Sequence, residues 1–522
     1  TSSSPAEVDS GRVVVVGGGI GGVSCAQEAA RISPHREVVL ISASDTLKDV
    51  QSVHEITETI HDLTVYERTL DAFRMDNPNI RVLRDVVTEI DPHRKVVLTG
   101  GGDTLEYSRL CLCLGARPKL IAHHPNVIGL RDLQSAEELS ERLRSARHVT
   151  IVGNGGIAME LVHLLSNCDV SWIVKDGYLG NTFFDASSTA FILPTFESTG
   201  RTVRVWNEGC APVEPSPLRH DGAATAARVG MGGSGLGPEW LRRARERSVL
   251  LESLGEGVAG SADSPQHTLD IHFYDSVRSI DDSAGGAITI HTTQGQDTQS
   301  CVTSMQVLSC DFLVSATGVS PVSDIEISDS DGPCDDKKAV LQLDKEGAIC
   351  VDDYMRTSLS PGCVFAAGDC VTLQWSEPSR HWMQMRIWSQ ARAMGIYAAR
   401  CMALTASPDK ISAVEAKEFE FASAFAFELF THVTRFFGHK VVLIGNFNGQ
   451  GLGSDVEILL RITPGKEYIK LVVHRGRVIG AILIGETDME EVVENLILNN
   501  IDVSRYGIDI LDPDRDIEGY FD

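Results

Sequence analysis

Two glycine-rich segments carry the clearest chemistry in this chain. Gly17-Gly18-Gly19-Ile20-Gly21-Gly22 follows a run of four valines, Val13 to Val16, and Gly153-Asn154-Gly155-Gly156-Ile157-Ala158 follows the β-branched stretch His148 to Val152. In each, the first glycine (Gly17, Gly153) permits a sharp turn and the second (Gly19, Gly155) lets the backbone approach a pyrophosphate. The third small residue (Gly22, Ala158) lets a helix lie close to the strand it follows. Free N–H groups and the dipole at the start of that helix then hold the anion. One such turn also arises from packing alone, whereas two in one chain predict two dinucleotide sites.

Such sites need a strand, a helix and a second parallel strand to position them. Val23 to Arg31 has helical composition, and second strands are predicted at Glu37 to Ser42 and at Val170 to Val174. The length of 522 residues, at about 150 per domain, allows three or four domains. With 43% apolar and 23% charged residues the composition is that of a folded soluble protein. Forty-six Lys and Arg against seventy-two Asp and Glu leave a net charge of −26. That field disfavours direct nucleic-acid or membrane-surface binding.

No apolar run is long enough to cross a bilayer as a helix. The first ten residues lack the basic and apolar regions of a secretory signal, so secretion is not expected, and a removed presequence stays open because the chain starts at Thr1. Most of the twelve cysteines lie in apolar runs such as Leu110-Cys111-Leu112-Cys113-Leu114, which fits reduced, buried thiols in the nucleus or cytoplasm. None has CxxC or CxxxxC spacing, and no histidine joins them in a zinc pattern, so no metal is expected. Residues 211–266 turn rich in Gly, Ala, Ser, Pro and Arg and read as an insertion, either a tolerated surface loop or a protein-binding one. Near the C-terminus, strands are predicted at 441–444, 456–462, 468–474 and 478–484, then a helix at 488–498 and an acidic tail. That is a small α/β domain without a catalytic constellation of its own.

Three more segments narrow the class. Tyr107 to Pro118, turning at Gly115, and Cys310 to Pro321, turning at Gly318, resemble the ATG-like strand-and-turn elements that abut each cofactor in two-dinucleotide flavoproteins. Thr357 to Asp369, ending in Gly368-Asp369, resembles the second FAD motif. With the two glycine-rich turns, these five motifs between residues 13 and 370 make the chain resemble the FAD-dependent pyridine nucleotide-disulfide oxidoreductases. The resemblance implies an α/β fold with two Rossmann-like domains, the NAD(P) domain inserted in the FAD domain, plus the small C-terminal domain. The expected boundaries are 1–128 and 316–418 for FAD, 129–315 for NAD(P), and 419–522 for the last domain.

Gly180 to Asp185, Trp388 to Gly395 and Phe427 to Phe437 are similar to one branch of that family. The similarity implies a monomer or weak oligomer, nuclear and cytoplasmic, that oxidises NAD(P)H and protects the catalytic subunit of the tRNA ligase complex from oxidation. It also implies roles for particular residues. Asp369 would hydrogen-bond the ribityl chain of FAD; Arg117 and Arg131 would lie beside FAD. Ser42 stands where an adenosine-ribose carboxylate is usual, or is an ordinary strand-end serine. Lys48 is either a cation beside flavin N5 or a solvated lysine. Gln384 and Trp388 would meet the flavin pyrimidine, or Trp388 is plain core. Lys175 takes the place of the acidic residue that binds the ribose of NAD, which removes the usual bar to a 2′-phosphate, although Asp176 stands next to it. Glu160 would contact the nicotinamide amide, or is a buried capping carboxylate.

One departure from the family bears on mechanism. Residues 43–110, where disulfide reductases place CxxxxC, contain no cysteine. Electrons would then leave the flavin directly, towards oxygen, a quinone, a dye or a protein. The competing reading is an NAD(P)H-sensing binding protein whose turnover is incidental.

Overall fold

The computed structural model describes residues 11–130, 133–165, 167–197, 201–206, 267–294, 304–328, 340–359, 362–377, 379–404 and 427–512. Around the first glycine-rich turn stands a parallel sheet ordered Val364–Ala366, Arg109–Leu112, Val13–Val16, Val38–Ser42, Ile80–Arg84. Every residue of Val13–Val16 is buried. A parallel strand covered on both faces takes an unbroken β-branched run rather than an alternating one. Helix Ile20–Ile32 packs on helix Trp388–Leu404 so tightly that a Cβ added to Gly395 would fall 2.1 Å from the Gly21 carbonyl oxygen.

The second sheet, also parallel, runs Val127–Ile128, Phe312–Ser315, His148–Val152, Asp169–Ile173, Thr268–His272, Thr202–Trp206. An antiparallel meander of Asp275–Asp282, Ile288–Gln294 and Ser304–Cys310 is attached to it. Because Val364–Ala366 completes the first sheet after the second has been built, the two Rossmann-like units are nested as expected. The 211–266 insertion and Arg131 lie outside the described residues, as does the tail beyond residue 512. No helix among the described residues is long and apolar enough to cross a membrane.

The C-terminal unit is an antiparallel sheet ordered Thr431–Phe436, His439–Gly445, Arg477–Ile484, Glu467–His474, Glu457–Thr463, with helix Glu490–Leu498 against it. Its first strand falls on residues that were set apart only for their family likeness. Both faces of its three central strands, His439–Gly445, Arg477–Ile484 and Glu467–His474, are buried, which explains why these read as continuous apolar runs. Val441, Leu443, Tyr468, Ile482 and Ile484 share a core with Met159, Phe183 and Phe184 of the second Rossmann unit. Val442, Ile444, Ile469, Leu471 and Leu483 pack with Val493 and Ile497 of the helix.

The first part of the cysteine-free segment folds as a long antiparallel hairpin, Thr46–Glu55 with His61–Thr69. Ile60 at its tip is buried in the C-terminal core. Glu494, on the C-terminal helix, accepts hydrogen bonds there from Thr57 Oγ1 and Thr59 N, both at 2.8 Å.

Candidate functional site

A cavity of about 400 Å³ opens at the C-terminal end of the first sheet. Gly17, Gly19, Ser42, Lys48, Gly115, Arg117, Gly368, Asp369 and Trp388 all line it. The glycines there have separable duties. Gly17 has φ +123°, and a Cβ on it would lie 2.0 Å from the Cys113 carbonyl oxygen. A Cβ on Gly22 would lie 1.9 Å from the Gly17 oxygen, so these two exist for close packing. Gly19 faces open space with nothing within 4 Å. A crowded turn with one bare, open amide at the helix start is a cradle that fits a pyrophosphate.

Other residues around this cavity sort less evenly. Ser42 Oγ closes a local turn, accepting from Ser44 N at 3.2 Å, while still lining the wall. Lys48 is held by its backbone, whose N–H donates to the Gly18 oxygen at 2.9 Å, and its strand partner Glu67 lines the same wall. Nothing in a motif marked Glu67. Arg117 pairs with Asp324 at the cavity edge. Trp388 is 6% exposed, packs with Ile20 and Val65, and still borders the cavity, so it is a core side chain that also reaches the cavity wall. Gln384 lies away from the cavity, its amide bridging Leu373 N at 3.0 Å and the Val371 oxygen at 2.8 Å.

A second cavity, of about 470 Å³, opens at the other glycine-rich turn. Gly153 (φ +134°) would set a Cβ 2.1 Å from the Ala316 oxygen, while Gly155 is open except for Thr182 Oγ1 at 3.9 Å. The division of labour seen at Gly17 and Gly19 is therefore repeated. Ala158 is fully buried beneath the turn. Lys175, exposed, and Gly318 line this cavity, whereas Glu160, on helix Gly156–Leu164, lines neither. Asp176 also lines it, but its Oδ2 accepts Nδ2 hydrogen bonds from Asn154 at 2.9 Å and from Asn181 at 2.8 Å. The carboxylate that would greet a ribose thus already holds the loop together.

Two further cations on this wall, Arg278 and Arg386, carried no sequence signal: one sits in the antiparallel meander, the other in an irregular stretch before Trp388. Arg386 is 2% exposed, and its Nε donates to the Asp369 carbonyl oxygen at 3.0 Å, which joins this cavity to the first. The cavities also share a wall. The turns at Gly115 and Gly318 lead into an antiparallel ribbon, Ala116–Pro118 with Val319–Pro321, and Pro118 and Val319 border both spaces.

The nine described cysteines are all free thiols. Cys113 lines the first cavity, and its Sγ lies 3.7 Å from that of Cys111. Its hydrogen bond with Cys111, partly countered by Cys25, and its burial hold the Cys113 thiol well above the ordinary range. A thiol kept from ionising is a poor nucleophile. Among the described residues no group of three or more side chains is arranged to bind a metal ion.

The family model described as pyridine nucleotide-disulphide oxidoreductase matches residues 11–206 and 252–395. Human pyridine nucleotide-disulfide oxidoreductase domain-containing protein 1 is 38% identical over 525 residues, covering 98% of both chains. Its Drosophila melanogaster namesake is 38% identical over 518 residues, again with 98% of each covered. In fold, the chain is similar to a ferredoxin reductase of Rhodopseudomonas palustris, with a TM-score of 0.61 and 16% identity over 94% of this chain and 95% of that one. A water-forming NADH oxidase from Lactobacillus brevis gives a TM-score of 0.56 at 16% identity, over 96% and 91%. Two nested Rossmann units with adjoining cavities, a family model spanning most of the chain and full-length relatives at this identity lead to one conclusion: the chain belongs to the pyridine nucleotide-disulphide oxidoreductase family.

Proposed function

We propose that this chain is an FAD-dependent NAD(P)H oxidoreductase that passes electrons from the flavin straight to an external acceptor, with FAD in the first cavity and the nicotinamide nucleotide in the second. The observation that carries the proposal is the pair of cavities meeting at one thin wall, each opening at a glycine turn with an open second glycine. When bound, FAD accepts a hydride from the reduced nicotinamide and hands the electrons on. Gly19 and the start of helix Ile20–Ile32 would hold the pyrophosphate, Asp369 would take the ribityl hydroxyls, and Lys48, paired across the hairpin with Glu67, would supply positive charge to the ring. Positive charge there stabilises the negative charge that develops on reduction. On the other side Gly155 receives the nicotinamide nucleotide's pyrophosphate. Lys175 and Arg278 offer charge to a 2′-phosphate, and buried Arg386 fixes the Gly368-Asp369 turn from the nicotinamide side.

The hairpin Thr46–Thr69 supports the dithiol-free part of the reading. It occupies the stretch where a redox pair would stand and brings Lys48 and Glu67 to the wall in place of thiols. The likeness to the full-length relatives supports, as the physiological role, protection of the tRNA ligase complex catalytic subunit in the nucleus and cytoplasm. With a net charge of −26 the contact would be to protein and not to RNA. Steady-state NADH and NADPH oxidation under air, with flavin spectra before and after anaerobic reduction, tests the chemistry. Bleaching by either nucleotide followed by re-oxidation in air is expected; a flavin that neither nucleotide bleaches refutes it.

A second reading has one observation in its favour. The loop bordering the nicotinamide cavity is anchored in the C-terminal domain, so nucleotide binding there can be felt on a surface remote from the flavin. If bleaching occurs but turnover with every acceptor stays negligible, the protein is a nucleotide sensor.

A further inference from the structure

Residues 175–185 form a loop with two distinct faces. On the cavity side, Gly180 N donates to Asn154 Oδ1 at 2.6 Å, and Asn154, Asp176, Asn181 and Thr182 border the nicotinamide space. Three residues beyond Thr182 the chain is gripped by the C-terminal domain. Phe183 stacks on buried His432 and meets Phe436, and Asp185 Oδ2 accepts from Lys470 Nζ at 2.7 Å. Lys470, 2% exposed in the middle of an apolar strand, also donates to Asn448 Oδ1 at 2.6 Å. Asp185 accepts from Ser188 N at 2.9 Å and from Ser187 Oγ at 2.8 Å, and Ser187 in turn meets the Tyr468 hydroxyl at 2.6 Å. Burial pushes the Asp185 carboxyl up, but Lys470 and the serine donors outweigh it and hold it at about 2. Burial likewise pulls the Lys470 ammonium down, against the opposing pull of Asp185, and its Nζ donates to Asp185 Oδ2 and Asn448 Oδ1.

We propose that the Lys470–Asp185 ion pair positions the nicotinamide-nucleotide loop, so that Lys470, which lines neither of the two cavities, sets the affinity for NAD(P) from a different domain. The proposal rests on the second cavity being the NAD(P) site. Slack is scarce along the connection. A Cβ on Gly180 would fall 2.6 Å from Phe184 and 2.7 Å from Met159 Sδ, so a shift at Asp185 is passed to Asn181 and Asp176 and not absorbed. Chains of packed side chains and hydrogen bonds of this kind carry energetic coupling between sites.

The test uses the full chain loaded with FAD. Calorimetric titration with NAD⁺ and with NADP⁺, neither of which turns over, is run on wild type, Lys470→Met, Asp185→Asn and the double variant. Each single variant is expected to raise Kd for the tighter nucleotide about tenfold and to raise KM for its reduced form with kcat little changed. The double variant should be no worse than either single, since both remove one interaction. FAD content is expected to stay stoichiometric. If Lys470→Met does not fold, Asp185→Asn, which keeps the acceptor for Ser188 N, carries the test alone. Folded variants that melt lower but bind within twofold of wild type would show the pair to be only structural and overturn the proposal. Wild type that binds neither nucleotide would overturn both this proposal and the site reading beneath it. Normal wild-type binding with unaffected variants defeats the proposal alone.

Discussion

The two glycine-rich turns are nearly the same object, yet the cavities they open are walled differently. At Gly17 the wall includes the hairpin strands carrying Lys48 and Glu67, the Gly368-Asp369 turn and Trp388. At Gly153 part of the wall is the loop 175–185, whose far end is pinned by Lys470 and His432 of another domain. The hairpin at the first site is fastened to the C-terminal unit as well, but at its tip, through Ile60, Thr57 and Thr59, the end away from Lys48 and Glu67. A site whose loop is fastened to a neighbour inherits that neighbour's stability, and any nucleotide that tightens the loop also tightens the neighbour.

The sharpest way to break this comparison is to separate packing from binding within one turn. Gly17→Ala sets a methyl 2.0 Å from a backbone oxygen at a positive φ, so a loss of about 3 kcal/mol or more is expected from strain and overpacking together. The equivalent Gly153→Ala should behave alike. Gly19→Val meets open space in an extended conformation with φ −77°, so it should leave thermal unfolding of the apoprotein nearly unchanged while FAD no longer copurifies. Scanning calorimetry of the apoproteins beside flavin absorbance checks both outcomes. A flavin-loaded Gly19→Val, or a stable Gly17→Ala, would remove the assigned division of labour.

How much of this was legible in the sequence follows from how local each feature is. The strand, turn and helix around Gly17, Gly19, Gly153 and Gly155 are local, so their spacing marked these positions, although the oxygens that crowd Gly17 and Gly153, those of Cys113 and Ala316, come from distant parts of the chain. The central strands of the C-terminal sheet, His439–Gly445, Arg477–Ile484 and Glu467–His474, were legible because both their faces are buried and their apolar runs are long. The hairpin Thr46–Thr69 was not: its strands alternate buried and exposed residues irregularly, with a register shift between Val50 and Ser52, so no period marks them. Glu67, Arg278 and Arg386 reach the cavities only through tertiary packing. Lys470 did leave a trace, a lysine inside Tyr468-Ile469-Lys470-Leu471-Val472-Val473, but its partner is Asp185, far away in sequence, and no spacing rule connects them.

A smaller effect should sharpen the nicotinamide side. Lys175 is exposed on the cavity wall, and Asp176 is occupied by two asparagine amides, so a 2′-phosphate would find charge there without a free competing carboxylate. Lys175→Glu should weaken NADP⁺ by about 1–3 kcal/mol more than NAD⁺, the range for a hydrogen bond to a charged group. Fluorescence titration of both nucleotides reads this difference. Equal weakening moves the discrimination to Arg278, where Arg278→Glu should then produce the selective loss.

The smallest expected effect concerns the thiols under the flavin cavity. Cys111 and Cys113 stand two residues apart with Sγ atoms 3.7 Å from each other, and Cys25 adjoins both. Proximity alone would permit a disulfide, for which a bond of about 2.05 Å and a specific torsion are required. Exchange needs a thiolate, however, and the Cys113 thiol is pushed well above its ordinary range by its hydrogen bond with Cys111 and by burial. Cys111 and Cys25 are pushed up as well. Such thiols act as small apolar side chains filling the space between strand and helix. Cys111→Ala and Cys113→Ala should therefore cost only about 1 kcal/mol of stability, the scale for deleting a small buried group. NAD(P)H oxidation should stay within about twofold of wild type. Anaerobic reductive titration decides the matter: two electrons per flavin in wild type and in both variants is expected. Uptake of four electrons by wild type, falling to two in either variant, would make the pair a second redox centre and tie the flavin cavity to chemistry that the hairpin Thr46–Thr69 has replaced.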